Sequence, residues 1–516
     1  MAFKDDIIYK IILIMKMLNF ENFYLHYNIR GDGQSFFKPQ ILYAIHIYSN
    51  FRRIFSSRVT EYSCHTDIGF RLVSEGTQPD HSTLCRFRKK FSKEIQDLNK
   101  QFSRLLIELQ ITEIRDVSID GTKISSNAAL SSNKSAKAIE RELNAFTDEC
   151  VLEDEKENDA DNSQLTAGMK NLGNSDIRRN NLEKAQEILN KKHEEAVEEY
   201  NDKMSKREEI ESTTGMKIRG RKLKDPGDTP DPKLKVNVTD PDSSIMYTAK
   251  KYHIQGYNVQ LAVNDEQFIL VSDVTSEQND VNQLLPMVDS VIELCESANT
   301  NLPSGFVLDA GYHSYQNLVG YYSKYSDIDI LIPVKKEHKI EAIPDSNLPI
   351  LQIQDMIMYL IKVGYFNNST PILASNGAYI FETWLNDEDS YPTKESILAQ
   401  FSDAKVSSPS GRKRFSPRKY TVEPVNAHIK FNMGMYRFVT RSLETVRAEL
   451  SLAAMIYNIK KVIKLGRFGK LTSSLHQNGS SMAFFASLFT ILDMGVTEFC
   501  RVIIDQLFKS QRSYQF

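Results

Sequence analysis

The 516-residue sequence is poor in cysteine and tryptophan, with five cysteines and a single tryptophan. The cysteines are scattered and form no CxxC pair or other zinc-ligand spacing, which argues against zinc-finger and disulfide-scaffold classes. Reduced thiols in a cytosolic compartment are the simplest interpretation, so we expect a cytoplasmic protein. The five positions are Cys64, Cys85, Cys150, Cys295 and Cys500.

Long uninterrupted hydrophobic runs are also missing. The apolar stretch from Ile7 to Leu18 contains Lys10 and Lys16, which is typical of an amphipathic helix. The stretch from Met482 to Leu507 contains four charged residues that would be costly inside a bilayer. We therefore predict no membrane span. The four charged residues are Asp493, Glu498, Arg501 and Asp505.

The sequence has little excess charge of either sign, with a net charge of −3. This balance argues against a protein that coats nucleic acid through overall positive charge, so any DNA binding must come from local basic patches. Hydrophobic content of 41% and charged content of 25% are ordinary for a folded soluble protein. The length exceeds what one core usually organises, which predicts two or three structural units.

Residue patterns divide the chain into regions. Residues 1–110 show helix-period apolar residues, residues of about 130–235 form a highly charged insertion with a helix over Leu182 to Glu211, and the chain after Ser416 is helical again. Alternating or short buried runs predict strands between these regions, which favours an α/β fold with a mixed sheet covered by helices. The predicted strands are 115–124, 253–263, 268–274, 305–308 and 328–334.

A helix that follows Pro79 has two distinct faces. Asp80 or Ser82 is suited to cap its first turn. An apolar stripe predicts the buried face, and four basic residues share the other side as a candidate phosphate-binding face. The stripe comprises Leu84, Phe87, Phe91, Ile95 and Leu98, and the basic residues are Arg86, Lys89, Lys90 and Lys93.

Two aspartates follow strand-like runs at places where ligand sites often form. Asp120 ends the alternating run of DVSIDGTKISSNAA, and Asp309 follows the short buried strand of GFVLDAGYHS. Ligand sites favour the carboxyl ends of strands, and Gly311 permits a tight turn beside Asp309. Most aspartates at strand ends are simple caps or turn formers. Two such acids also suit Mg²⁺, because a pair of ions can clamp the attacking and leaving oxygens of a phosphodiester.

The chain resembles the DDE transposases of bacterial insertion sequences, particularly those with an InsH-type N-terminal domain. The resemblance covers most of the chain. It rests on DGTKISSNA, GYNVQLAV from Gly256 and DAGY in this order, together with SSRVTEYSCHTDIGFRLV from Ser56 and PDHSTLCRFRKKF from Pro79. It implies a ribonuclease H-like fold with the first acid on the first strand, the second after the fourth strand, and the third on a later helix.

The third acid is a choice between two glutamates. The family pattern places glutamate seven residues before lysine, as Glu423 and Lys430 stand in VEPVNAHIK, so Glu423 is preferred. Glu449 is the competitor, although its helix reads as amphipathic with Glu449 as an ordinary polar position. Pro424 disfavours an α conformation at Glu423, so we expect the helix to start there after an extended segment. Ser416 and Lys419 occupy positions where hairpin-forming relatives have tyrosine and arginine, so the resemblance does not extend to a hairpin mechanism.

The resemblance implies DNA cleavage at element ends and strand transfer into target DNA, with two Mg²⁺ or Mn²⁺ ions held by Asp120, Asp309 and Glu423. It further implies a homodimer in the synaptic complex. Residues 1–110 would form the helical DNA-binding domain, 111–466 the catalytic domain, and 467–516 a helical extension. The alternatives are a non-catalytic DNA-binding relic and a nuclease without strand transfer. The basic segment GRKRFSPRKY adds candidate phosphate contacts at Arg412, Lys413, Arg414, Arg418 and Lys419, besides Lys430.

Overall fold

The computed structural model describes residues 7–27, 37–145, 165–214, 223–248 without 228, 251–334 without 326, and 409–471, with isolated residues between 372 and 407. In the long helix over 165–214, side chains are described from residue 178 onward, with a few omissions near its end. The helix predicted from about residue 481 and the acidic cluster over 148–161 lie outside the described residues.

Seven helices form the N-terminal part of the described chain. The basic face predicted for a single helix is divided between two of them, because α6 ends at Lys90 and α7 begins at Ser92. The apolar stripe on both sides of this break is buried, as predicted. The helices are α1 (Ile7–Met17), α2 (Glu21–Tyr24), α3 (Pro39–Phe51), α4 (Ser57–Thr66), α5 (Ile68–Val73), α6 (His81–Lys90) and α7 (Ser92–Glu108).

All five predicted strands are present. A further strand, β4 (Ser244–Tyr247), was not predicted, because its short sequence gave no strand signal. The strands are β1 (Asp116–Ser125), β5 (His253–Asn264), β6 (Ile269–Thr275), β7 (Gly305–Val307) and β8 (Asp329–Leu331). Two two-residue strand pairs lie apart from this sheet: β2 (Asn133–Lys134) with β3 (Val236–Asn237), and β9 (Ile372–Leu373) with β10 (Tyr379–Ile380).

The main sheet has the order β4-β5-β1-β7-β8, and β6 pairs with the other half of β5. β5 is antiparallel to β1, β4 and β6, whereas β1, β7 and β8 are parallel. α10 (Leu284–Ser297) links β6 to β7, and α11 (Tyr315–Lys324) links β7 to β8. This mixed arrangement agrees with the predicted ribonuclease H-like fold.

The register of the sheet places the two predicted aspartates side by side. Ser118 of β1 is the parallel partner of Val307 of β7. Asp120 and Asp309 each lie two residues beyond that pair. Since successive side chains of a strand alternate between faces, Asp120 points to the same face as Ser118.

The charged insertion between β1 and β4 has a small core of its own. A helix over 136–145, here α8, packs against the long helix α9 (Leu165–Thr214). The small core consists of Ile139, Leu182, Ala185, Leu189 and Val236.

The last described part of the chain is helical: α12 (Pro409–Phe415), α13 (Arg418–Ala427), a π-helical turn over His428–Asn432, and α14 (Leu443–Lys464). α14 lies between the sheet and the N-terminal helices. Its Asn458 hydrogen-bonds both backbone polar groups of Ile269 in β6, and its Met455 sulfur accepts from the Tyr43 hydroxyl of α3. One hydrophobic core therefore connects the helical region to one face of the sheet.

None of the helices in the described ranges is both long enough and apolar enough to cross a membrane.

Candidate active site

Three acids from distant parts of the sequence converge at the carboxyl end of the parallel strands. Asp120 is on β1, Asp309 follows β7, and Glu423 is on α13. The side chain of Asp120 is 14% exposed, that of Asp309 41% and that of Glu423 50%. The predicted pair and the preferred third acid are thus brought together, with one acid buried and two open to solvent.

The guanidinium of Arg418 lies at the point where the three acids meet. Its Nη2 atom donates to Asp120 Oδ1 at 2.6 Å and lies 3.7 Å from Asp309 Oδ2. Its Nη1 atom lies 3.6 Å from Glu423 Oε1. The side chain is 10% exposed, and its Nε has no hydrogen-bond partner in the described structure. One positive group therefore lies near three carboxylates and offsets only part of their negative charge.

α13 is fixed to β1 by polar contacts on both sides of this ion pair. Asn426 donates from Nδ2 to Asp120 Oδ2 at 2.8 Å, and Thr421 donates to the Ser118 hydroxyl at 3.1 Å. Both carboxylate oxygens of Asp120 therefore accept hydrogen bonds from residues of α13. These contacts bring Glu423 to the mouth of the site.

The prediction that the helix starts near Pro424 is wrong, since α13 begins at Arg418 and Pro424 lies inside it. Proline inside a helix leaves the carbonyl four residues earlier without its usual donor. Here that carbonyl belongs to Tyr420, and it accepts from the side-chain amide of Gln267 at 2.7 Å. A side chain from outside the helix therefore replaces the lost backbone bond.

Lys430 lies in the π-helical turn after α13 rather than on a continuous α-helix with Glu423. The spacing of seven residues therefore does not bring the two side chains to one face of an α-helix, as the sequence had suggested. Burial lowers the pKa of Lys430, and the negative charge of Asp120 partly opposes this effect.

Burial dominates the electrostatics of Asp120. The pKa of Asp120 is raised to about 6, chiefly by desolvation, while Arg418 acts in the opposite direction. The neighbouring carboxylates of Asp309, Asp280 and Glu423 contribute to the same rise. Keeping Asp120 ionised therefore costs free energy, and a bound cation would reduce this cost.

Asp280 is a site residue that the sequence patterns did not reveal. It begins the turn before α10, and its carboxylate lies against Gly121 and Gly311, beside the two catalytic-acid candidates. Strand and helix periodicity carry no signal for a turn residue of this kind. The available hint was the pair of glycines close to Asp120 and Asp309, since close packing against backbone is one reason for glycine.

Glu449 lies in a different environment. Its side chain is 3% exposed and accepts hydrogen bonds from the backbone N–H groups of Val439 and Thr440 and from the Thr440 hydroxyl. All these donors belong to the segment before α14. The carboxylate thus anchors a loop, whereas Glu423 is the glutamate within ion-pair distance of Arg418.

The predicted basic residues fall into separate groups. Arg418 lies within the acid cluster, and Lys430 is close enough for the charge of Asp120 to affect its pKa. Arg414 forms a bidentate ion pair with Asp116 at the start of β1 and also contacts Asp329 of β8, so it ties α12 to the opposite end of the strands. The remaining residues have solvent-exposed side chains: Arg86, Lys89, Lys90 and Lys93 on α6 and α7, and Arg412, Lys413 and Lys419 on and after α12.

The donor set fits a hard divalent cation. Carboxylate and amide oxygens are the ligands that Mg²⁺ and Mn²⁺ prefer, and Asn426 beside Asp120 has a buried Oδ1 that accepts no hydrogen bond in the described structure. In this conformation no three acidic, histidine or cysteine side chains of the described residues have metal-ligand spacing. The guanidinium of Arg418 lies where the acids converge.

Comparison with known proteins identifies two matching regions. Residues 4–90 match the family described as Transposase domain (DUF772), and residues 213–459 match the family described as Transposase DDE domain. Neither the curated proteins nor the solved structures gave a match. The second region includes Asp309 and Glu423 and begins after Asp120. The sheet register places the strand of Asp120 beside the strand that leads to Asp309. The two regions together cover more than half of the chain, which belongs to the DDE transposases of the insertion-sequence type.

Proposed function

We propose that this transposase cleaves DNA at the ends of its element and transfers the freed 3′ ends into target DNA, using divalent cations held by Asp120, Asp309 and Glu423. One observation supports this proposal above all others. Three acids separated by 189 and 114 residues meet around a single guanidinium at the carboxyl end of the parallel strands. Mutual repulsion among carboxylates is unfavourable, so a fold that gathers them favours a cation.

The residues of the site have distinct tasks in this proposal. Asp120, Asp309 and Glu423 would hold two Mg²⁺ or Mn²⁺ ions, and Asn426 orients Asp120 through the hydrogen bond to Oδ2. When bound, the ions activate the attacking hydroxyl and stabilise charge on the leaving oxygen. Arg418 would offset part of the acids' charge when no cation is present. Lys430 would contact a phosphate beside the acids.

The exposed basic residues would bind the DNA backbone. Arg86, Lys89, Lys90 and Lys93 are exposed on α6 and α7, and Arg412, Lys413 and Lys419 are exposed on and after α12. Arg414 is engaged with Asp116 and Asp329, so its proposed role in DNA binding is the weakest of the set. Phosphate contacts of this kind orient a duplex without reading its sequence. Synapsis of two element ends would require a homodimer, and we place the protein in the bacterial cytoplasm at the nucleoid.

The test is a cleavage and strand-transfer assay on linear DNA that contains the terminal repeats flanking the gene, with Mg²⁺ or Mn²⁺ and with EDTA. We expect metal-dependent cleavage and joined products from the wild type, and loss of both with Asp120→Asn, Asp309→Asn or Glu423→Gln. Glu449→Gln is the matched control and should keep activity. Unchanged cleavage by Asp120→Asn would refute the assignment.

The same assay separates the alternatives. Binding of end DNA with no cleavage in either metal would indicate a non-catalytic relic. Cleavage without joined products would indicate a nuclease.

A further inference from the structure

The carboxylate of Asp280 lies between the two chain segments that contain Asp120 and Asp309. A Cβ atom built on Gly121 would overlap with Asp280 Oδ1, and one built on Gly311 would lie 3.3 Å from Asp280 Oδ2. Gly121 follows Asp120 directly, and Gly311 is two residues after Asp309. Both glycines therefore leave the space that this one carboxylate fills.

Two buried amides of β5 fix the carboxylate in this place. Asp280 Oδ1 accepts from Asn258 Nδ2 and from Gln260 Nε2, each at 2.7 Å. Asn258 is 1% exposed and Gln260 is fully buried. Gln260 in turn accepts from the hydroxyl of Tyr312, which follows Gly311. The position of Asp280 is thus set by a network that reaches both acid-bearing segments.

The charge of Asp280 is not balanced within this network. All its hydrogen-bond donors are neutral amides, and no lysine, arginine or histidine of the described residues forms an ion pair with it. Asn258, whose Nδ2 donates to Asp280, has a buried Oδ1 that accepts no hydrogen bond in the described part of the chain. A neutral acceptor would satisfy both amides without the cost of holding a charge near other carboxylates.

We propose that Asp280 is a fourth acidic residue of the cation site, which positions the backbones around Gly121 and Gly311 and adds negative charge that strengthens cation binding. This inference rests on the proposed function. The extra charge acts through space on a cation held by Asp120 and Asp309, as any unscreened neighbouring carboxylate does.

The test separates the charge of Asp280 from its hydrogen bonds. Asp280→Asn keeps an oxygen that accepts from both amides and removes the charge. We expect the dissociation constant for Mn²⁺, measured by calorimetry on the metal-free full chain without DNA, to rise by about tenfold or more. The matched control is Asp289→Asn on α10, an exposed aspartate paired with Lys324, which should bind Mn²⁺ as the wild type does.

A second variant distinguishes a purely structural role. Gln260→Leu breaks the network but keeps the charge, so it should weaken Mn²⁺ binding less than Asp280→Asn does. An equal or larger effect of Gln260→Leu would overturn the inference. Asp280→Ser, which removes the charge and leaves space, replaces Asp280→Asn if that variant does not fold.

The remaining outcomes separate this inference from the proposed function. If the wild type binds Mn²⁺, Asp120→Asn loses binding and Asp280→Asn retains the wild-type affinity, the role of Asp280 is refuted and the proposed function stands. If the wild type binds no Mn²⁺, the proposed function fails and the inference fails with it.

Discussion

Replacing Asp120 by asparagine should stabilise the metal-free protein, although it removes the best-buried acid of the site. Burial raises the pKa of Asp120 from 3.8 to about 6. Because the folded-state pKa lies above the unfolded value, ionised Asp120 destabilises the fold. The cost is absent below about pH 3.8, grows as the pH rises towards 6, and is complete above 6, where it amounts to about 3 kcal/mol.

The structure shows why asparagine fits. Its oxygen can still accept from Arg418, and its amide can donate to Asn426 Oδ1, which has no partner in the described structure, after a flip of the Asn426 side chain. Loss of the ion pair with Arg418 reduces this gain in the free energy of unfolding. We therefore expect a gain of about 1 to 3 kcal/mol at pH 8, and roughly half of that at pH 5.

Urea unfolding in EDTA at the two pH values measures this difference. Asp289→Asn, an exposed position, should change the free energy of unfolding by less than about 0.5 kcal/mol at both. A less stable Asp120→Asn at pH 8 would refute the reasoning, because it would mean that Arg418 more than compensates for burial. An equal gain at both pH values would show that the charge of Asp120 is not responsible.

Other parts of the structure lead to three further predictions. Arg414→Gln leaves Asp116 and Asp329 without their shared partner and should cost about 2 kcal/mol in urea unfolding, with no change in affinity for Mn²⁺. Glu449→Ala removes the acceptor of the backbone N–H groups of Val439 and Thr440 and should cost about 2 kcal/mol by the same measurement. Combined alanine substitution of Arg86 and Lys89 should weaken binding of all DNA sequences alike. The slope of log binding constant against log salt concentration should fall in magnitude by about one per charge removed, and an unchanged slope would contradict their contact with phosphates.

Much of the sheet and its two aspartates could be predicted from the sequence. The buried strand β7 lies in a short apolar run, and an acid directly after such a run is placed by the chain itself. The short β4 was missed because four residues give too little periodicity. The prediction of one basic face on a single helix was wrong, because the helix ends before Phe91 and the apolar stripe continues into a second helix.

The sequence favoured Glu423 as the third acid, but it did not predict the local structure around this residue. Pro424 argued for an extended segment, and only the contact between Gln267 and Tyr420, 153 residues apart, shows how the helix tolerates it. Asp280 was missed for a similar reason. Its position depends on amides from β5 and on two glycines of other segments, and none of these relations is periodic in the sequence.

Anomalous diffraction from crystals of the full chain soaked in Mn²⁺ would show whether Asp120, Asp309 and Glu423 form one cation site. We expect a manganese peak with oxygens of Asp120 and Asp309 at about 2.1 Å, Glu423 beside it, and the Arg418 guanidinium turned away from its present position. Manganese bound elsewhere, or Arg418 still paired with Asp120 at full manganese occupancy, would contradict it.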